Sequence, residues 1–389
     1  MRFIQFADVH LDSAVGGALR LPDAKRSQLR RDIRSAFAAA CALAVDRRVD
    51  LALIAGDVFD YESADDTTVS FIIDELRGMA PIPVFIAPGN HDSLRPSSPY
   101  LPGQDGARWP DNVRVFASRS FETVAVDHLD CSVTGIAHAH RGITDRLLAQ
   151  PLAAASSAVN LLLFHGSREG WRPADKEAVL PFFDDELLAQ PCTYAALGHY
   201  HSHSEITDSD GRVRAAYSGC VQGRGLDEAG EKCVLVGEID GGGNVSLDPV
   251  EVAPRRVVCA RADVSGCRDQ ESVFRAIDAA VTGARERDIV SVALYGALQT
   301  GLDIDFAAWE SAAPFFHARI DPSRVEPDYD LESIRSDPRA APLRAEFVRR
   351  MLEMQAAAES EDEKQTLRDA VYYGLRALDS KKLEPRDAR

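Results

Sequence analysis

Long apolar runs are missing from these 389 residues: none approaches the roughly 20 that a bilayer-spanning helix needs. Residues 1–6 read as a strand rather than as a signal peptide, so the expectation is a cytoplasmic protein with no membrane partner. Paired cysteines are missing too. The seven present (Cys41, Cys131, Cys192, Cys220, Cys233, Cys259 and Cys267) are odd in number, scattered, and contain no C-x-x-C. That excludes a zinc ribbon and a disulfide framework, and each thiol is expected as a small, reduced core residue. No G-x-x-x-x-G-K-[ST] phosphate loop occurs, so the chain is not itself a P-loop ATPase.

Positive charge is short. Against 61 Asp and Glu stand 44 Lys and Arg, a formal net charge of −17. Such a surface disfavours polyanions, unless bound divalent cations or a basic partner reverse the sign locally. The remaining composition, 45% hydrophobic and 27% charged, is that of an ordinary globular protein with room for two or three domains.

What is present begins with alternation. Apolar strand candidates at 3–7, 51–55, 84–87, 159–164 and 194–197 are joined in part by amphipathic helices, with Leu29, Ile33, Phe37 and Cys41 on one stripe and Val69, Ile73 and Leu76 on another. Strand–helix–strand order predicts parallel pairing and an α/β fold. Short strands at 113–116, 121–126, 132–136, 213–217 and 233–239 lack intervening helices and predict a mixed, sandwich-like sheet. After Pro254 the pattern becomes strand, helix, strand, helix, strand, and from residue 342 it is helical. The expected division is 1–254, a small α+β domain at 255–325, and a helical segment at 326–389.

Chemistry-bearing residues gather at strand ends. Asp8 and His10 follow the first strand, Asp57 and Asp60 the second, and Asn90, His91 and Asp92 the third. His165 follows strand 159–164, and His199 and His201 follow strand 194–197. In extended backbone, residues i and i+2 share a side, so Asp8/His10 and His199/His201 can each present two ligands to one point. The crevice at the carboxyl ends of an open α/β sheet is where such groups converge. A lone D-x-H is commonplace; five such termini in series predict a site for divalent cations, and Asp57 ends a buried strand because a cation meets it.

The motifs DVH, GDVFD, GNHD, FHG and GHYH, in this order, resemble those of the calcineurin-like metallophosphoesterases over roughly residues 1–240. The stretches GNHDSLRP and YSGCVQGRGLDEAGEKC are similar to the DNA repair exonuclease group, the SbcD-like nuclease subunits, and most of all to their YhaO-like branch. The resemblance implies a four-layer metallophosphoesterase β-sandwich flanked by helices and followed by a small α+β capping domain. It implies one metal held by Asp8, His10, Asp57 and His201, and another by Asp57, Asn90, His165 and His199, with Asp57 bridging. Two such cations lower the pKa of a water between them and neutralise the phosphodiester it attacks. His91, beside the ligand Asn90, is placed to be the general acid, and Asp60 rather than Asp92 is expected to orient it. Oxygen and imidazole ligation favours Mn²⁺, with Fe²⁺ or a mixed pair as alternatives.

Arg95, Arg168 and Arg224 flank the motifs and are candidates for phosphate contact, each also readable as an ordinary salt-bridged side chain. His138 and His140 share the i, i+2 spacing but fall outside the family pattern and are expected to be structural; His203 is expected at the surface, and His128 and His317 carry no signal. The functional expectation is a DNA exonuclease or endonuclease in repair. The tail carries an apolar stripe (Leu343, Phe347 and Met351, then Leu367, Val371, Leu375 and Leu378) that docks either on the chain itself or on a partner helix; the resemblance further implies a separate SMC-like coiled-coil ATPase, for which the tail is the candidate docking site, and a homodimer. Two alternatives stand beside it: a small-molecule phosphodiesterase or phosphomonoesterase, which the net charge favours and the extra domain disfavours, and a non-catalytic metal-stabilised scaffold for a repair ATPase.

Overall fold

The computed structural model describes residues 1–17, 19–101, 109–139, 142–171, 178–300, 302–336 and 342–379. Strand and helix alternate first: β1 (Arg2–Phe6), α1 (Asp23–Asp46), β2 (Leu51–Ile54), α2 (Asp66–Gly78) and β3 (Val84–Ile86). Strands then dominate: β4 (Val113–Val115), β5 (Glu122–Val126), β6 (Cys131–Gly135), β7 (Val159–His165), a short α3 (Asp184–Leu188), β8 (Tyr194–Gly198), β9 (Ser204–Thr207), β10 (Val213–Tyr217), β11 (Cys233–Ile239) and β12 (Val245–Glu251). The later part holds β13 (Val257–Asp263), α4 (Gln270–Ala280), β14 (Ile289–Gln299), α5 (Phe306–Ala312), β15 (His317–Asp328), α6 (Leu331–Ser336), α7 (Pro342–Ala357) and α8 (Glu361–Asp379). Among the described residues no helix is long and apolar enough to cross a membrane.

The chain divides into two compact units, Met1–Cys259 with Ala284–Ser291 and Pro314–His317, and Ala260–Gly283 with Val292–Ala313 and Ala318–Arg389. The first unit contains two six-stranded sheets, ordered β12-β11-β1-β2-β3-β4 and β5-β6-β7-β8-β10-β9. Strands β1 to β4 are parallel, and β11 joins β1 antiparallel. Strand β2 is apolar throughout because successive side chains face opposite ways and both faces are covered. Ala52 and Ile54 pack with Leu29, Ile33 and Phe37 of α1 and Ile72 and Leu76 of α2. Leu51 and Leu53 meet Val133, Leu161, Leu163 and Ala196 of the second sheet. The outer face of that sheet packs Phe164, Leu197 and Tyr217 against Phe182 and Leu187. Helices, sheet, sheet and α3 with its flanking loops make four layers.

A polar residue, Gln5, sits between the sheets. Gln5 is fully buried; its amide donates to the carbonyls of Leu197 and Ala216, and its oxygen accepts from the Tyr194 hydroxyl. Strand β12 went unforeseen because it is an edge strand with little burial, and only an edge tolerates its Pro249 in a ladder. Strand β15 extends to Asp328, past residue 325, the expected end of the small α+β domain.

In the second unit lie the greater part of the three-stranded sheet β13-β14-β15 and the helices α4 to α8. Asp269 caps α4 by accepting from the Ser272 N–H, as Asp and Ser at these positions favour. Val348 of α7 packs on Val371 and Leu375 of α8, so part of the tail's apolar stripe is spent within the unit. The stretches expected as a small α+β domain and as a helical segment thus largely share one compact body.

Candidate metal centre

The ends of β1 and β2 stay paired past the last regular residue. Asp8 N–H donates to Gly56 O at 3.1 Å, His10 N–H to Asp57 O at 2.9 Å, and Leu11 N–H to Val58 O at 2.9 Å. The backbone there is not extended, contrary to the argument from i, i+2 spacing. Asp8, His10 and Asp57 lie at φ +53°, +50° and +51°, and His199 at +112°. Left-handed turns, not a pleat, aim these side chains. Each such residue costs on the order of 1 kcal/mol or more, a strain that persists only where surroundings enforce it. Glycines make room: a Cβ on Gly89 would overlap the Asp57 carboxylate, and one on Gly56, at φ +85°, would come within 2.7 Å of Gly89 N.

Asp57 is 2% exposed. Its Oδ1 accepts the His91 N–H at 2.9 Å, while Oδ2 lies 3.3 Å from His165 Nε2 and 3.6 Å from His10 Nε2. Asp8, equally buried, accepts the His199 N–H at 3.1 Å and faces His201 Nε2 at 3.7 Å. Asn90 Oδ1 is 3.0 Å from His165 Nε2, and the His165 and His199 rings are 5.2 Å apart. All seven residues expected to hold metal are therefore in one neighbourhood. Ligand atoms fall within 4.8 Å of one another in Asp8/His10/His201, in Asp8/Asp57/His165 and in His10/Asp60/His91.

Three imidazoles share an orientation. Nδ1 of His10 faces Asp60 Oδ1 at 2.5 Å, Nδ1 of His165 the Ala55 carbonyl at 2.9 Å, and Nδ1 of His201 Glu228 Oε1 at 2.6 Å. An acceptor at Nδ1 assigns the proton there and turns Nε2 inward as a lone pair, the tautomer a metal ligand needs. Nε2 of His10 and of His199 are buried and have no hydrogen-bond partner among the described residues. An orphaned buried nitrogen costs about 1–3 kcal/mol. Two of them, that of His10 lying 3.6 Å from the buried Asp57 carboxylate, fit divalent cations.

Titration behaviour agrees with that fit. Burial lowers His10 below the ordinary histidine value, the Asp60 hydrogen bond only partly opposing it, and burial with the neighbouring His165 pulls His199 down to about 3. Both stay neutral, ready to ligate. Burial alone would raise Asp57, but His165 and His10 outweigh it and hold the carboxyl well below its usual range. Burial likewise opposes charge on His165, yet the Asp57 carboxylate lifts its pKa to about 9, so a cation held there would take the place of the Nε2 proton.

His91 is half exposed, and its Nδ1 is 3.2 Å from Asp60 Oδ1. That bond raises its pKa against the pull of burial. Asp60 thus reaches both His10 and His91. Asp92, the alternative for orienting His91, bonds elsewhere: it accepts the N–H groups of Asp57, Val58 and Gly89 and the Tyr100 hydroxyl. It ties the loops after β2 and β3 together.

The three arginines are all engaged. Arg95 lies 4.4 Å over the Tyr61 ring and 3.5 Å from Glu62. Buried Arg168 donates through Nε to Asp184 at 2.6 Å and stacks at 4.5 Å on the exposed Trp171. Arg224 bonds Glu228 through Nη2 at 2.6 Å and is the one of the three that touches the centre's periphery. His138 is satisfied at both nitrogens, by His165 O at 2.7 Å and the Ile143 N–H at 2.9 Å, so it braces the His165 backbone. His203 meets Tyr217 O and His317 meets Leu19 O; His140 lies outside the described residues. Sequence reasoning assigned no role to Glu228, although it lies inside the GRGLDEAGEK stretch; nothing in a one-dimensional pattern marks which of its acidic residues is buried.

Comparisons with known proteins bear on this arrangement. The family model described as calcineurin-like phosphoesterase matches residues 1–203. The chain is 25% identical over 293 residues to the uncharacterized metallophosphoesterase YhaO of Bacillus subtilis (strain 168), covering 74% of this chain and 69% of that one. Among solved structures, TT1561 of Thermus thermophilus aligns with 64% of this chain and 98% of its own, at a TM-score of 0.35 and 11% identity. Because the family match spans more than half of the residues, and the orphaned imidazoles fit bound cations, the chain belongs to the calcineurin-like phosphoesterases and is a metal-dependent phosphoesterase.

Proposed function

We propose that this phosphoesterase is a manganese-dependent DNA nuclease of the repair exonuclease type, acting in the cytoplasm as a homodimer with a separate SMC-like coiled-coil ATPase. The observation that carries the hydrolytic reading is the pair of unpartnered, buried Nε2 atoms of His10, 3.6 Å from the buried Asp57 carboxylate, and of His199, whose N–H bonds the buried Asp8. Support for DNA as substrate comes from the likeness of GNHDSLRP and YSGCVQGRGLDEAGEKC to the repair nucleases.

One cation would be held by Asp8, His10, Asp57 and His201, the other by Asp57, Asn90, His165 and His199. Bound there, divalent cations lower the pKa of water from about 15.7 towards 7 and withdraw charge from the phosphodiester. The chain's own residues do the rest. Asp60 holds Nδ1–H of His91, which leaves Nε2–H of the imidazolium directed outward to protonate the departing oxygen. Asp60 also fixes the His10 tautomer, so one carboxylate couples acid and ligand. A donor set of carboxylate, amide oxygen and imidazole without thiolate favours manganese over structural zinc.

The second reading, a small-molecule phosphoesterase, is favoured by the net charge of −17. Purified protein with Mn²⁺ is offered linear DNA and bis-p-nitrophenyl phosphate. Cleavage of both is the expected result; cleavage of the ester alone supports the small-molecule reading, and cleavage of neither leaves the scaffold.

A further inference from the structure

The branch-like stretch GCVQGRGLDEAGEK, residues 219–232, closes around one metal ligand. Glu228 is 3% exposed. Its Oε1 takes His201 Nδ1 at 2.6 Å and Arg224 Nη2 at 2.6 Å; its Oε2 takes the Arg224 N–H at 2.7 Å. From the other side, the His201 carbonyl accepts from Lys232 Nζ at 2.8 Å and from the Cys220 N–H at 3.3 Å. Arg224 then reaches the loop after β1, donating through Nη1 to Ser13 Oγ at 3.2 Å, while its carbonyl accepts the Gly16 N–H at 2.9 Å. Both ends of His201 are thereby held against the segment that carries Asp8 and His10.

We infer that residues 219–232 form a clasp that loads one cation of the pair selectively, with Glu228 as the positioning residue that fixes the tautomer and angle of His201. The inference rests on the metal-centre reading above. Arg224 Nη2 stands 3.4 Å from His201 Nδ1. Two donors cannot share that contact, so Glu228 lies between them as the acceptor for both. With Nδ1–H committed, Nε2 keeps its lone pair towards Asp8. Since Arg224 neutralises Glu228, the clasp contributes orientation rather than added negative charge. Of the seven expected ligands, it bonds His201 alone among the described residues; Asn90, His165 and His199 receive nothing from it. Loss of such an outer partner weakens metal affinity by about tenfold to hundredfold.

The test is a Mn²⁺ titration of full-length protein by calorimetry, with electron paramagnetic resonance to separate a coupled pair from single ions. Wild type is expected to take two equivalents. Glu228→Ala should weaken one by about tenfold to hundredfold and spare the other, so that at one equivalent the coupled-pair signal gives way to that of isolated Mn²⁺. Glu228→Gln keeps the shape and an acceptor but not the charge that pins the proton, and should lose several-fold at the same equivalent; it decides the matter if the Ala variant does not fold. Unchanged binding of both equivalents by a folded variant, or equal weakening of both, overturns the clasp. A wild type that binds no Mn²⁺ overturns the metal-centre reading instead.

Discussion

His91 and Asp57 are neighbours through one hydrogen bond, yet chemistry separates them. Asp57 is sealed from solvent and pulled down in pKa by two histidines, whereas His91 is half exposed and pulled up by Asp60. Because Asp60 raises His91 above its ordinary value, its proton is held to higher pH than on a free imidazole and is lost as pH climbs past the raised value, so the rate on DNA, whose leaving alkoxide needs that proton, should fall on the alkaline side. His91→Gln is expected to cut kcat by about 10²- to 10⁴-fold, leave bound Mn²⁺ in place, and flatten that alkaline limb in a pH–rate profile. An unchanged limb would remove His91 as the acid. These residues were legible because Asp, Asn and His each stand directly after an apolar strand. Their aim was not: the i, i+2 argument assumed extended backbone, and positive φ at Asp8, His10 and Asp57 sets the direction instead.

Elements set the room in which these side chains fit. The loop after β3 passes so close to the end of β2 that Gly89 has no space for a Cβ beside Asp57. Gly89→Ala is therefore expected to destabilise the fold by roughly 1–3 kcal/mol and to lower Mn²⁺ affinity together with it, read from a denaturant midpoint and a metal titration on the same sample. The segment after β7 makes a different contribution. Asp184 clamps Arg168, the guanidinium lies on one face of Trp171, and the Tyr200 hydroxyl bonds Arg168 O at 3.0 Å, next to His199. The ring is 63% exposed. A nucleobase can stack on such a surface for about 1–3 kcal/mol. Trp171→Ala should raise KM for DNA by about tenfold or more while leaving hydrolysis of bis-p-nitrophenyl phosphate unaltered; equal KM values for DNA would remove the stacking face. Strand β12 shows what pattern reading misses, since an edge strand needs no apolar face.

At the scale of the whole molecule, burial of like charge dominates. Asp8 and Asp57 are taken out of water in a chain already carrying −17, and bound cations relieve both repulsion and desolvation. Chelation should accordingly abolish hydrolysis and lower the melting temperature, with recovery on adding Mn²⁺; at a hundredfold excess over Kd a bound ligand adds about 2.7 kcal/mol. A melting temperature indifferent to chelator would contradict cation binding at this centre. The alternating α/β body was readable beforehand because periodicity reports which faces are covered, and β2, apolar at every position, has both covered; the four layers came with the family resemblance. Its connectivity to the later part was not, since 284–291 and 314–317 belong to the first compact unit while the residues between them belong to the second.

By itself, the amino-acid order determined the alternation of strands and helices and the gathering of Asp, Asn and His at strand ends, because apolar periodicity and residue type are local properties; the choice of seven of them as ligands came with the family resemblance. Tertiary structure alone decided which nitrogen of each imidazole points inward, that Asp92 braces loops instead of His91, that Arg168 is spoken for by Asp184, and that Glu228 is buried against His201. Those outcomes depend on partners up to 110 residues away along the chain, as with His165 and Ala55, and on which charges folding removes from water; no local pattern carries that information.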